Sequence, residues 1–289
     1  MTGTTMARPG RGVGQVALVG VVSLLGLAMF CWPLVASVLP RSGGQSTPWL
    51  MLVLVPVLLV IVLSQVASGG LDPRTLAMLG VLSAVNAALR LVSAGTGGIE
   101  LVFVLLVLAG YVFGATFGFL LGMISLFASA LLTAGVGPWL PFQMLAAGWI
   151  GLGAGLLGHL VAGRVRPRGR AELAVLAGYA AVVAYAFGAL MNLWFWPFAI
   201  GGDTAVSYIP GGPLTENLRR FLVFTVTTST LTWDTVRAVT NVVAVLVVGS
   251  PVLGTLRRAQ RRAAWMTTEY SDGYPGSVPS PASLTSPRN

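Results

Sequence analysis

The chain has 289 residues, of which 55% are hydrophobic and only 9% are charged, and its formal net charge is +9. A soluble domain carries about 25% charged residues, so this composition excludes an ordinary soluble protein. The positive charge comes from arginines in short gaps between long apolar runs, a position that suits anionic lipid headgroups better than nucleic acid.

A series of apolar runs predicts eight membrane spans, since a bilayer core is crossed by about 20 apolar residues in a helix. The first run follows Arg8 and Arg11 and could be a signal peptide. It exceeds the usual apolar region of about 7–15 residues and no small-residue cleavage motif closes it, so we predict a retained helix. The predicted spans are 15–39, 49–67, 73–92, two short helices within 100–134 that break at 114–118, 142–162, 171–198 and 221–248.

These runs predict an all-α fold, a polytopic membrane helix bundle of about eight transmembrane helices. Two N-terminal helices fall in 1–72 and a six-helix core falls in 73–262. The remainder, 263–289, ends in a Ser- and Pro-rich stretch that predicts a disordered cytoplasmic tail. Arginines cluster within 164–170 and 257–262. Because cytoplasmic loops hold the excess of basic residues, we predict a multi-pass cell-membrane protein with both termini cytoplasmic.

The third run carries small residues at a regular spacing. Gly80, Ala84 and Ala88 are each four positions apart, which places them on one face of a helix. Small residues on a membrane helix let another helix approach closely. The sequence therefore predicts a helix-packing interface along this face.

Aromatic and polar residues gather in and beside the connections predicted at the outer face. Aromatic surfaces with a few polar groups suit a flat organic ligand, whereas the alternative is the ordinary belt of aromatic residues at the headgroup level. The glycine-rich connections between the spans are expected to act as a lid. The candidate ligand-binding residues are Trp139, Phe142, Gln143, Asn192, Trp196 and Tyr208.

The eighth run contains two charged residues, Asp234 and Arg237, three positions apart. At this spacing they can pair along one helical face, and ionisable residues inside a membrane are functional candidates. Two interpretations stay open: a neutralised pair that fixes helix packing, or a polar lining that binds substrate. The run of hydroxyl residues at 225–232 can bond back to backbone carbonyls of the preceding turn.

The chain offers few residues for chemistry. It has one histidine, His159, and one cysteine, Cys31, and no cluster with the spacing of metal ligands. Without a lysine it has no phosphate-binding loop of the ATPase type. We therefore expect no enzyme activity, no catalytic residues, no metal and no cofactor. The energy for any transport must come from a partner or from an ion gradient.

These features resemble the substrate-binding subunit (S component) of energy-coupling factor (ECF) transporters. The resemblance covers about 73–262. It rests on the small-residue face of the third run, on the short helix that turns through 114–118, and on the loop 137–144 (Gly-Pro-Trp-Leu-Pro-Phe-Gln-Met) before a glycine-rich helix.

The resemblance implies a subunit that captures a vitamin or a metal ion from outside and docks on a transmembrane coupling protein driven by two ABC-type ATPases. The face of Gly80, Ala84 and Ala88 would contact that coupling protein. The histidine-rich start of the metal-type members is absent, which favours a vitamin, and the regions 99–100 and 137–139 look most like cobalamin-associated members. The alternatives are a self-sufficient secondary transporter of a small organic solute and an integral membrane enzyme.

Overall fold

The computed structural model describes residues 10–35, 73–93, 97–162, 169–200 and 204–272. Helices account for nearly all of this part of the chain, and five of them are long and apolar enough to cross a membrane. The predicted all-α membrane bundle is confirmed. Its helices are α1 Gly10–Phe30, α2 Trp32–Val35, α3 Pro73–Ser93, α4 Val102–Phe113, α5 Ala115–Leu132, α6 Leu140–Val161, α7 Arg170–Ala199, α8 Leu214–Thr225, a π-helical segment Val226–Asp234, and α9 Thr235–Asp272.

The break predicted within 100–134 is confirmed at Gly114. This residue separates α4 from α5 and has φ 98°, a backbone conformation that only glycine adopts readily. The resulting α4 has 12 residues and a length of about 18 Å. Because the apolar core of a bilayer is about 30 Å thick, α4 reaches only part of the way across it.

The glycines of α6 let three helices approach closely. A methyl group added at Gly151 would overlap the backbone of Gly118 on α5, and one added at Gly110 on α4 would overlap the carbonyl of Gly151. Gly155 lies as closely against the turn between α4 and α5. Close backbone approach of this kind is how membrane helices gain packing energy without a hydrophobic driving force. The glycine-rich character of this helix is therefore explained by packing.

The N-terminal helix α1 packs against α6. Gly26 lies against Leu145, and the Trp149 indole N–H donates to the Ser23 hydroxyl at 3.0 Å. The first span was predicted to continue from 15 to 39, but α1 ends at Phe30 and the short α2 follows after Cys31. The predicted second span, 49–67, lies outside the described residues.

The last helical stretch is longer than predicted. Helices α8, the π-helical segment and α9 follow one another from Leu214 to Asp272, whereas the sequence predicts a span over 221–248. Helix α9 thus extends into the region predicted to be a tail, and 273–289 lies outside the described residues. Helix α8 is amphipathic: Phe221 and Phe224 are buried, while Arg219 is exposed.

Two ends of the bundle can be distinguished by their contacts. At one end, which we call the inner end, the Arg257 guanidinium binds the buried Glu172 carboxylate with two nitrogens, and the Tyr111 hydroxyl donates to the same carboxylate at 3.0 Å. These contacts join the end of α4 and the start of α7 to the middle of α9. The opposite, outer end carries the connections 97–101, 133–139 and 204–213.

Candidate functional site

A cluster of charged residues lies in the interior of the bundle, where α9 meets α7 and the start of α4. The Arg237 guanidinium binds the Glu100 carboxylate, donates to the Asp234 carboxylate at 2.6 Å and donates to the Ala184 carbonyl at 3.4 Å. The Ser229 hydroxyl donates to the second oxygen of Asp234 at 2.5 Å. We call Glu100, Asp234 and Arg237 the ion cluster.

The surroundings of the ion cluster are tight. The Arg237 guanidinium carbon lies 5.2 Å from the ring centre of Phe187 and 5.9 Å from that of Phe103. A methyl group at Gly188 would overlap the Asp234 carboxylate. Because Nε and Nη1 of Arg237 are bound and two aromatic rings lie beside its guanidinium, Arg237 fits the interpretation that the predicted pair fixes helix packing.

Sequence reasoning paired Asp234 with Arg237 but missed Glu100 as their partner. Glu100 reaches them because the connection before α4 turns into the bundle: Gly98 lies against the Trp233 backbone, and the Asn241 side chain donates to the Glu100 carbonyl at 3.0 Å. Irregular backbone at this depth is tolerated only where protein or a water-filled cavity surrounds it. The glycines of this connection, Gly97 and Gly98, both have positive φ and were its one indication in the sequence.

The π-helical segment accounts for the hydroxyl-rich run. Thr227 and Thr228 donate to carbonyls four residues before them, as the sequence predicts, whereas Thr235 donates to the Thr230 carbonyl five residues before it. The wider π turn also brings the Ser229 hydroxyl to Asp234, five residues later. Such segments are rare and often occur at functional sites.

Helix α3 presents a ladder of polar side chains to α5 and α6. The Asn86 amide donates to the Ser125 hydroxyl at 2.9 Å. One turn nearer the outer end, Arg90 donates to the Ser129 hydroxyl at 2.7 Å and to the Gln143 side-chain oxygen at 2.9 Å. Of the predicted site residues, Gln143 is therefore held by Arg90, a contact that the sequence did not suggest.

Aromatic rings fill the outer half between α6 and α7. Phe142 stacks on Trp194 with ring centres 4.7 Å apart and planes 1° apart, and Phe30 of α1 meets Phe142 edge-on at 4.9 Å. Phe142 is fully buried, so the structure places this predicted site residue in the packed interior. The buried Nε1 of Trp194 has no hydrogen-bond partner among the described residues, and neither has Nδ2 of Asn192, two positions earlier on α7.

The connection between α7 and α8 is firmly held over the outer end. Trp196 is fully buried and its indole N–H donates to the Val206 carbonyl at 2.7 Å. Asn217 bonds both the N–H and the carbonyl of Ile209, and Arg220 donates to the Thr204 carbonyl at 2.7 Å. We call 204–213 the outer cap, because a connection tied down at three points can cover what lies beneath it.

Tyr208 and Trp139 lie on the connections at this end. Tyr208 is half-buried against Trp196 with ring centres 5.3 Å apart, and burial raises the pKa of its phenol, which therefore stays protonated at neutral pH. Trp139 is 43% exposed, and its indole N–H donates to the Gly135 carbonyl at 3.2 Å. Among the predicted aromatic residues, these two are accessible and Phe142 and Trp196 are not.

The family model of the ECF transporter substrate-specific component matches residues 74–249. This match spans more than half of the chain and includes α3 to α7, α8 and the first part of α9. The chain belongs to this family. A search of curated proteins and a search of solved structures each found no match.

Membership has direct consequences for the function class. ECF S components bind a substrate and work with a transmembrane coupling protein and ATPases, and the family is a transporter family rather than an enzyme family. The matched region begins within α3, so α1 and α2 lie outside it. In this S component, α1 and α2 therefore precede the matched region.

The small-residue face of this S component points away from the described core. Gly80, Ala84 and Ala88 are exposed, and a methyl group added at Gly80 would meet nothing within 4 Å. The opposite face of α3 carries the buried Ser83, Asn86 and the buried Leu79. Helix α3 thus has one face in the bundle and a second, smooth face free of contacts with the described residues.

Proposed function

We propose that this S component captures a vitamin from outside the cell, with cobalamin as the first candidate, and delivers it through an ATPase-driven coupling module. The main support is the outer half of the bundle, where aromatic side chains and two unpartnered donors of α7 occur among the described residues and where the outer cap is held over Trp196. A ring-bearing solute with oxygen acceptors would complement both features. Family membership supports the class of function, and the outer end supports the ligand class.

The proposed ligand site lies between the ends of α3, α6 and α7. Asn192 and Trp194 supply donors that need acceptors, since a buried donor without a partner costs about 1–3 kcal/mol. Gln143 and Tyr208 are half-buried at the same end. Phe142 and Trp196 support the site from behind, and Asp234 and Arg237 lie deeper in the ion cluster.

Trp139 provides a direct test of the ligand site. Packing of an aromatic side chain against a vitamin ring contributes about 0.5–1.5 kcal/mol in addition to the effect of burying apolar surface. Trp139→Ala should therefore weaken vitamin binding at least several-fold in calorimetric titration. Trp233→Ala is the matched control, since Trp233 is similarly exposed at 49% but lies on the π-helical segment. Equal affinity of parent and Trp139→Ala would place the ligand elsewhere.

We further propose that the exposed face of α3 contacts the coupling protein. Bulky residues would hold a partner helix away from this face, so Ala84→Leu and Ala88→Leu should each sharply reduce co-purification of the coupling protein while vitamin binding is retained. Ala186→Leu makes the same exchange at an exposed position of α7 and should leave co-purification unchanged. Full recovery of the complex with both α3 variants would rule out this face as the interface.

The proposed direction of capture follows from the arginines. Arg170 begins α7 at the inner end, and Arg257 binds Glu172 there. Arg258, Arg261 and Arg262 follow Arg257 along α9. Basic residues concentrate on the cytoplasmic side of membrane proteins. The inner end is therefore assigned to the cytoplasm, and the outer cap faces the source of the vitamin.

A further inference from the structure

Arg90, a half-buried arginine of α3, differs from Arg237 and Arg257 in having no carboxylate bound to it among the described residues. Arg237 binds two carboxylates and Arg257 binds Glu172. The partners of Arg90 are the Ser129 hydroxyl and the Gln143 amide oxygen, both neutral, and among the described residues no carboxylate oxygen lies within 4.0 Å of its guanidinium. In the described part of the chain, the Arg90 guanidinium therefore has two hydrogen-bond partners but no bound carboxylate to neutralise its positive charge.

An unneutralised cation in the outer half of a membrane bundle is costly, because burial removes the water that would stabilise its charge. The carboxylate whose charge acts on Arg90 is that of Glu100, but Glu100 is bonded to Arg237. The two neutral partners hold the guanidinium in place without neutralising it. A group that carried negative charge to this position would remove the cost.

Among the described residues, the unsatisfied groups closest to Arg90 include an acceptor, Asn86 Oδ1, one turn away on α3, and two further unsatisfied groups, both donors, lie on α7. Gln143 directly follows Phe142, which stacks on Trp194 at 4.7 Å, so the contacts of Arg90 continue through α6 to α7. There the buried Trp194 Nε1 and Asn192 Nδ2 lack partners among the described residues. Of these groups only the Arg90 guanidinium carries charge, and the chemistry that matches it is a group of anionic oxygens. Arginine is the side chain best suited to carboxylate and phosphate oxygens.

We propose that Arg90 is the anion-recognition residue of the ligand site and that the captured vitamin presents a carboxylate or phosphate group to it. Ser129 and Gln143 are positioning residues that hold the guanidinium toward the ligand. This assignment rests on the proposed function and adds the charge of the substrate to it.

The test titrates the detergent-purified full chain with vitamins and vitamin precursors in matched pairs: nicotinate and nicotinamide, biotin and biotinamide, and cobinamide phosphate and cobinamide. We expect one anionic member to bind and its neutral partner to bind at least about tenfold more weakly, because hydrogen bonds to a charged group are stronger than those between neutral groups. A preference for nicotinate or biotin over its amide would identify a carboxylate, and a preference for cobinamide phosphate over cobinamide would identify a phosphate.

Variants of Arg90 test the same contact by changing the protein instead of the ligand. Arg90→Gln should weaken binding of the anionic vitamin at least about tenfold and remove the preference over its partner, whereas Arg90→Lys should keep part of that preference. Arg219→Gln, an exposed arginine already paired with Glu216, should bind as the parent does. If Arg90→Gln does not fold, the difference in affinity of the parent protein for the two members of each pair tests the proposal.

The outcomes separate the two proposals. If a vitamin binds but its neutral partner binds equally well, or if Arg90→Gln keeps full affinity, the anion-recognition role is wrong and vitamin capture stands. If no vitamin binds the parent protein, the proposed function fails and the role of Arg90 fails with it.

Discussion

Replacing Gly151 with alanine is expected to disrupt the packing of α6 against α5. The added Cβ would overlap the backbone of Gly118, and backbone atoms cannot move aside as a flexible side chain can. Overpacking a well-packed interior typically costs about 1–3 kcal/mol, and we expect the upper end of that range. Thermal unfolding of the purified protein, followed by circular dichroism, would measure it as a lower midpoint.

Gly178 on α7 supplies the matched control for this prediction. It is exposed, and an added methyl group would meet nothing within 4 Å. Alanine is favoured over glycine in a helix by about 1 kcal/mol, so Gly178→Ala should keep or slightly raise the midpoint. A midpoint for Gly151→Ala equal to that of the control would show that α5 and α6 are not packed backbone to backbone.

Replacing Arg237 with methionine is expected to destabilise the bundle by about 3–5 kcal/mol, the cost of leaving buried carboxylates without their cation. Asp234 has a side chain only 1% exposed, and Glu100 comes from a different helix connection. The loss of Arg237 therefore also releases the connection before α4 from α9. Denaturation in detergent would report both effects as a lower unfolding midpoint.

A triple variant distinguishes loss of charge balance from loss of packing. Arg237→Met combined with Glu100→Gln and Asp234→Asn has no unpaired charge, so it should recover most of the stability lost by the single variant. Arg219→Met removes an exposed surface arginine instead and should leave the midpoint unchanged. If the single variant is as stable as the parent, the ion cluster does not hold α9 to the start of α4.

The features that depend on residues close together in the chain could be predicted from the sequence. The break at Gly114 was predictable because a glycine-rich stretch interrupted a run too long for one span. Asp234 and Arg237 were predictable as a pair because three-residue spacing puts side chains on one helical face. The small-residue face of α3 followed from the same periodicity, and the structure leaves that face exposed.

The remaining features depend on contacts between distant parts of the chain. Glu100 meets Arg237 across 137 positions, and nothing in its own neighbourhood predicts that its connection turns into the bundle. From the sequence, Phe142 is predicted to be a ligand-facing aromatic residue next to a loop, but in the structure Phe30 and Trp194 cover it. The lack of a bound carboxylate at Arg90 is visible only once the helices are assembled.

The most direct measurement of vitamin capture is calorimetric titration of the detergent-purified full chain with a panel of vitamins, cobalamin first. We predict saturable binding of one vitamin at one site per chain, with an affinity that falls in Trp139→Ala and persists in Trp233→Ala. Absence of binding by every vitamin in the panel, from a sample whose unfolding transition shows it to be folded, would contradict the proposed function.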